Sequence, residues 1–222
     1  MKSTILILIS LLFLTGCEKE VTTLQDRGDV KYVEKYEDGQ KKVEEHLKLG
    51  KRHGLYLEWY EDGQKKEETN YKEGKHDGLS TTWYEDGQKD KVTNYKDDKE
   101  DGIQTFWREN GQKWVESNYK NGDLEGRRTW WYENGQKRVE SNSKNGKEEG
   151  LFIYWYENGQ KFYEINYKND KEDGLLTYWS ENGQKNSETN YKNGKREGIQ
   201  TWWDKEGNVT KTETYKDGEL VK

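Results

Sequence analysis

Three histidines, His46, His53 and His76, are the whole imidazole supply of this 222-residue chain. None stands at a defensible spacing from a nucleophile and an orienting carboxylate, the arrangement that nucleophilic catalysis needs. His53 and His76 occupy equivalent loops one residue out of phase, as surface residues do. With one cysteine, Cys17, no Cys/His zinc cluster can be assembled, nor any intrachain disulfide. Asp97-Asp98-Lys99-Glu100-Asp101-Gly102 and Asn169-Asp170-Lys171-Glu172-Asp173-Gly174 have the flavour of calcium loops. Counting from Asp97, however, puts Lys99 third and Arg108 twelfth, where such a loop wants an oxygen ligand and a bidentate glutamate. Paired carboxylates abound, but on an open array with no pocket they do not suggest glycosidase chemistry. The residues specify no enzyme, no metal and no cofactor.

Cys17 carries the clearest chemistry. Residues 1–17 read MKSTILILISLLFLTGC, with Lys2 ahead of an apolar core from Ile5 to Leu14. That core is too short to span a bilayer, which takes about 20 residues as a helix, and has the length of a secretory h-region. Leu14-Thr15-Gly16-Cys17 resembles the bacterial lipobox, where cleavage precedes the cysteine and its sulfur receives a diacylglycerol. The simpler reading is a plain signal peptide with an incidental cysteine; charge, core length and box together favour the lipoprotein. The expectation is a signal peptide over 1–16, lipidation at Cys17, a flexible tether over 17–29 and a location in the bacterial cell envelope. Glu18 is not the aspartate that resembles an inner-membrane retention signal, which favours the outer membrane if the host has one.

Composition taken without order suggests disorder: 37% of residues are charged, 29% are hydrophobic, and mean hydropathy is -1.43. Order reverses this. Gly54, Gly78, Gly102, Gly126, Gly150, Gly174 and Gly198 recur every 24 residues, and a second series runs from Gly39 to Gly207 at the same period. Such self-similarity marks a quasi-linear repeat array, in which each unit buries its face against its neighbours. Net charge is -6 with acids and bases interleaved, so no basic face exists for nucleic acid. Proline is absent, which suits an uninterrupted sheet.

Within a unit, Leu55 to Tyr60 reads as a strand, Asp62-Gly63 as a hairpin signal, and Lys66 to Lys72 as the returning strand. The fold class is all-β: an elongated antiparallel meander of stacked 24-residue hairpins over 30–222, about eight repeats and ~75 Å long at the usual strand spacing. Positions 55, 57 and 59 recur mostly as Leu/Ile, Thr and Trp, with Arg127 breaking the aliphatic start, and 69 and 71 mostly as Thr/Ser and Tyr. These stripes are expected to form one buried face, which requires an odd-numbered loop and favours a three-residue turn with a glycine bulge. The opposite face varies between copies, so specificity is expected there. Its candidate binding residues are Phe106, Trp114, Trp130, Phe152, Tyr154 and Phe162, although rings on a sheet also serve plain cross-strand pairing, ~0.2–1 kcal/mol each. Glu44, Glu68, Glu116, Glu140, Glu164 and Glu188 form a ladder beside regularly spaced lysines, read as a solvated strip of weak ion pairs.

The unit GLxxxWYENGQKxxExNYKNGKxEG resembles the bacterial variant of the MORN repeat, over residues 32–222. Proteins built of these variants are often labelled YwqK-type antitoxins. The resemblance implies a single-layer sheet of stacked hairpins used for protein contact, membrane contact or dimerisation, with no catalytic residues to carry over. Asp98 and Asp170 depart from the pattern in place of a loop glycine, as do Ser143 for tyrosine, and Ser180 and Asp204 for the tyrosine after Trp. The functional expectation is a non-enzymatic, envelope-anchored scaffold that binds a protein partner, a toxin in the antitoxin reading. The alternative is a glycan- or peptidoglycan-binding module using its aromatic face.

Overall fold

The computed structural model describes residues 19–24 and 28–221, so the leader and Cys17 lie outside the described residues. Those described form strands and turns without a helix, arranged as two compact units, Met1–Gly111 and Gln112–Lys222. Within each unit the long strands pair antiparallel in chain order, giving a hairpin meander. The all-β meander is the architecture expected.

Two kinds of turn build it. At Tyr60–Gln64 the Gly63 N–H donates to the Tyr60 carbonyl at 3.0 Å, and the Tyr60 N–H donates to the Gln64 carbonyl at 2.9 Å. This is the expected three-residue loop, with Gly63 at φ 84° in the left-handed region where a side chain is disfavoured. The Gln64 N–H donates to Asp62 Oδ1 at 2.9 Å, which explains the Asp/Asn before the glycine. The other turn is tighter. Glu73 and Gly74 both have positive φ, 54° and 87°, the mirror-type two-residue turn. Asp98 and Asp170, which replace glycine there, keep the turn at φ 66° and 64°. Their carboxylates accept from the His76 and Glu148 backbone N–H groups at 2.8 Å, tying each loop to the one before it.

The assignment of faces needs correction. Glu58 pairs with Glu67, but Trp59 pairs with Lys65, so a β-bulge leaves one extra residue in the returning strand Lys65–Lys72. The same shift recurs at Thr82/Trp83, Trp130/Trp131, Tyr154/Trp155, Tyr178/Trp179 and Trp202/Trp203. The odd-numbered loop would place Thr69 beside Leu55; the bulge cancels it, and Thr69 pairs with Tyr56. Thr69 and Tyr71 therefore lie on the varying face. The aliphatic position expected to be buried is instead exposed, as Leu79 (49%) and Ile103 (59%) show.

Burial is split between the two sides of the sheet. On the varying face the buried column is Thr69, Thr93, Ser117, Ser141, Ile165 and Thr189; on the other side Thr81, Thr105, Thr129 and Thr177 are buried. Small β-branched residues and serine suit a sheet whose neighbouring rings cover them. Two of these hydroxyls pair across strands: Thr69 Oγ1 lies 2.7 Å from Ser80 Oγ, and Thr93 Oγ1 accepts from Gln104 Nε2 at 3.2 Å.

Within the stretch 17–29 expected as a tether, Lys19–Leu24 is a strand paired with Asp29–Glu34, and residues 17, 18 and 25–27 lie outside the described residues.

Candidate binding surface

The invariant side of the sheet is a ladder of three residue types. Lys65 Nζ lies 5.7 Å from the Trp83 ring centre of the next repeat and 2.6 Å from Glu68 Oε2. The same cation-over-indole contact joins Lys41 to Trp59, Lys89 to Trp107, Lys113 to Trp131, Lys137 to Trp155, Lys161 to Trp179 and Lys185 to Trp203. At such exposed sites each contact contributes on the order of 0.5–1 kcal/mol. The Lys–Glu strip thus joins repeats, and its regularity carries no discriminating information.

In each unit one side differs from copy to copy: Phe106 lies on it in the first, and Trp130, Phe152, Tyr154 and Phe162 in the second. Phe162 comes from a returning strand at the bulge position, which turns it to the same side as the first-strand candidates. Phe106, in the unit Met1–Gly111, has Lys91 Nζ 5.2 Å from its ring centre. The other five belong to Gln112–Lys222. There Trp114 is 46% exposed, and the Arg128 guanidinium lies over the Trp130 ring at 4.2 Å.

Phe152, Tyr154 and Phe162 come together. Phe162 packs against Tyr154 at 5.7 Å, Tyr156 at 4.9 Å, Tyr163 at 5.5 Å and Tyr178 at 5.6 Å between ring centres. Tyr163 is flanked by Phe152 and Tyr154 at 5.7 and 5.8 Å, with ring planes within 9° and 10° of its own. Tyr167 closes the group edge-on to Phe152 at 5.9 Å. Tyr156, Tyr163, Tyr167 and Tyr178 were not among the sequence candidates. Their signal was available: Tyr163 directly follows Phe162, and the bulge puts both on one side.

Electrostatics within the cluster are uneven. Burial pushes the Tyr163 phenol up to about 12. At Tyr154 the Arg138 Nε–H, 3.2 Å from the hydroxyl, holds the phenol below its ordinary value. Tyr132, also beneath the Arg138 guanidinium, is pushed up to about 12, chiefly by burial.

The structure also assembles a histidine arrangement that sequence spacing missed. His76 Nε2 lies 2.9 Å from Tyr71 Oη and His76 Nδ1 lies 3.1 Å from Asp98 Oδ1. The imidazole sits between the Tyr71 and Tyr95 rings at 4.5 and 5.1 Å. Burial raises the Tyr71 phenol, so it is no activated nucleophile. Arg196 takes the corresponding place between Tyr191 and Tyr215, which makes this a seam between repeats. Among the described residues, no group of three or more His, Cys, Asp or Glu side chains is disposed to hold a metal ion.

A family model described as MORN repeat variant matches residues 52–73, 77–97, 100–121, 124–145, 148–169, 172–193 and 196–217. The chain belongs to the MORN repeat variant family. No curated protein matches it. Each matched MORN segment contains the three-residue glycine turn and most of the returning strand. The hairpin of Asp29–Lys35 and Lys41–Lys48 precedes the first match yet has the same turn, with the Gly39 N–H donating to the Tyr36 carbonyl at 3.0 Å. The aromatic cluster is centred on the MORN repeat at 148–169 and extends through Tyr178 into the next. These repeats make the chain a repeat scaffold.

Proposed function

We propose that this chain is a non-enzymatic scaffold, anchored in the bacterial envelope through lipid on Cys17, which binds a protein partner through its varying face. Toxin neutralisation is the specific form of that role. The observation that carries the binding reading is the cluster around Phe162. Seven rings gather on the side of the sheet that changes between copies, while the other side carries the same Lys-over-Trp contact from repeat to repeat. Tyrosines present large, stiff contact area at low entropic cost, as the anchors of protein interfaces do.

The test is recovery of a partner from envelope extracts on immobilised mature protein, compared with Tyr154→Ala and Phe162→Ala. A partner lost at least tenfold with both variants, and retained by Phe106→Ala, supports the reading. Recovery that ignores all three substitutions defeats it. Lipidation is tested separately, by whether Cys17→Ser abolishes acylation and membrane retention.

A glycan-binding reading draws on the near-parallel rings of Phe152, Tyr163 and Tyr154. Retention on peptidoglycan or polysaccharide that is lost with Tyr154→Ala, with no protein recovered, would favour it.

A further inference from the structure

In several repeats the varying face supplies its own cation to its own ring. Lys42 Nζ lies 5.8 Å from the Tyr36 ring, Lys66 Nζ 5.8 Å from Tyr60, and the Arg138 guanidinium 5.7 Å from Tyr132. All three cations occupy the bulge position of the returning strand. In the repeat at 148–169 that position is Phe162, whose ring lies 4.9 Å from Tyr156. One more ring stands where those repeats hold a positive charge.

The surroundings of the cluster are acidic. Residues 148–183 contain eight carboxylates against three lysines, so this segment concentrates most of the chain's net charge of -6. One of those lysines, Lys161, reaches Trp179 on the invariant side. Glu148 and Glu172 act on the Tyr167 phenol, Glu157 on Tyr154 and Glu181 on Tyr156, each favouring the neutral form. Arginines stand at the margins: Arg138 is bound to the Tyr154 hydroxyl, and Arg196 spans Tyr191 and Tyr215. Aromatic faces carry the negative lobe of the ring quadrupole and attract ammonium and guanidinium groups, most strongly when carboxylates border them.

We infer that the Phe162 cluster receives a basic segment of the partner protein, seating a lysine or arginine side chain against Phe162 and the rings around it. This rests on the partner-binding reading above and adds the chemistry of the partner. A guest ammonium would replace, in this repeat, the resident one that Lys66 provides in another.

The experiment uses the mature protein and two synthetic peptides of equal length, one rich in Lys and Arg and one with those positions changed to Glu. Binding is followed by tyrosine and tryptophan fluorescence or by calorimetry. The basic peptide should bind at least tenfold tighter than the acidic one, and more weakly as salt rises. Phe162→Lys, which reproduces the arrangement at Lys66, should weaken the basic peptide at least tenfold. Glu172→Gln with Glu181→Gln leaves the rings in place and should weaken it severalfold, guarding against a folding defect in the first variant. Equal binding of both peptides, or an unchanged affinity with both sets of substitutions, would overturn the inference. If a natural partner is lost with Tyr154→Ala but ignores salt and Phe162→Lys, the partner-binding reading stands and the basic-segment inference falls.

Discussion

The hydroxyl of Tyr60 donates to the backbone carbonyl of Trp83, 23 residues further along, at 2.7 Å. The same bond links Tyr36 to Trp59, Tyr84 to Trp107, Tyr132 to Trp155 and Tyr156 to Trp179. It explains why a tyrosine follows the tryptophan in most copies: its ring lies over one repeat and its hydroxyl anchors the next. Ser180 is too short for this and turns inward, donating to Asn182 Oδ1 at 2.7 Å.

Tyr60→Phe removes that donor and leaves the Trp83 carbonyl without it. The expected cost is about 0.5–1.5 kcal/mol of unfolding free energy, read from denaturant melts together with faster amide exchange in the 75–83 strand. Repeat arrays respond mainly through nearest-neighbour interfaces, so exchange in strands 185–192 and 198–203 should not change. A uniform increase in exchange across the chain would count against a local staple.

The corrected register has its own test in Ile165 and Leu151. Ile165 is 2% exposed and Leu151 40% exposed, although both come from the same hairpin. Ile165→Ala should cost about 2–4 kcal/mol, as in a packed core, and Leu151→Ala less than about 0.5 kcal/mol, as on a surface. The register without the bulge buries both, and so demands comparable losses.

Much of this was legible in the chain itself. The period, the hairpins and the glycine turn all follow from Gly63 and its copies, because a left-handed φ leaves few alternatives to glycine. The bulge was not read, yet it left a trace. Lys65 and Glu68 are three residues apart, which in an unbroken strand puts them on opposite sides. Their 2.6 Å contact exists because an extra residue intervenes. A Lys–Glu ladder at that spacing within a strand is the mark of a bulge rather than of a plain solvated strip. The varying face was recognisable from its variability and its rings. The gathering of Tyr163, Tyr167 and Tyr178 around Phe162 was not, since it depends on cross-strand register, which is set locally at Trp155 and Lys161.

At the three-residue turns, Gly87→Ala and Gly207→Ala separate two causes of strain. Both glycines have positive φ, 83° and 84°, so each substitution should cost about 1–2 kcal/mol. A methyl at Gly207 meets nothing within 4 Å, whereas at Gly87 it would lie 2.3 Å from Gln64 Oε1. That amide is the far end of a flexible side chain and can swing away. The two variants should therefore differ by less than about 1 kcal/mol in chemical denaturation. A much larger loss at Gly87 would mean that Gln64 is held rigidly and itself fastens adjacent turns.

The phenols near Arg138 give a prediction in pH. Tyr163 and Tyr132 are pushed up to about 12, chiefly by burial, while Tyr154 is drawn down by the Arg138 hydrogen bond. An unfolded chain releases these protons near pH 10. From about pH 10 to 12 the folded state thus retains protons that the unfolded state has lost, and stability falls as pH rises. Tyr154 acts in the opposite sense: its depressed folded value contributes stability above pH 10, which is lost as pH falls through that value. Ultraviolet titration of phenolate should show one tyrosine ionising ahead of the rest and a late group near 12. Arg138→Leu removes the donor to the Tyr154 hydroxyl and should abolish the early phase while leaving Tyr163 late. If the early phase survives in that variant, the guanidinium contact is not its origin.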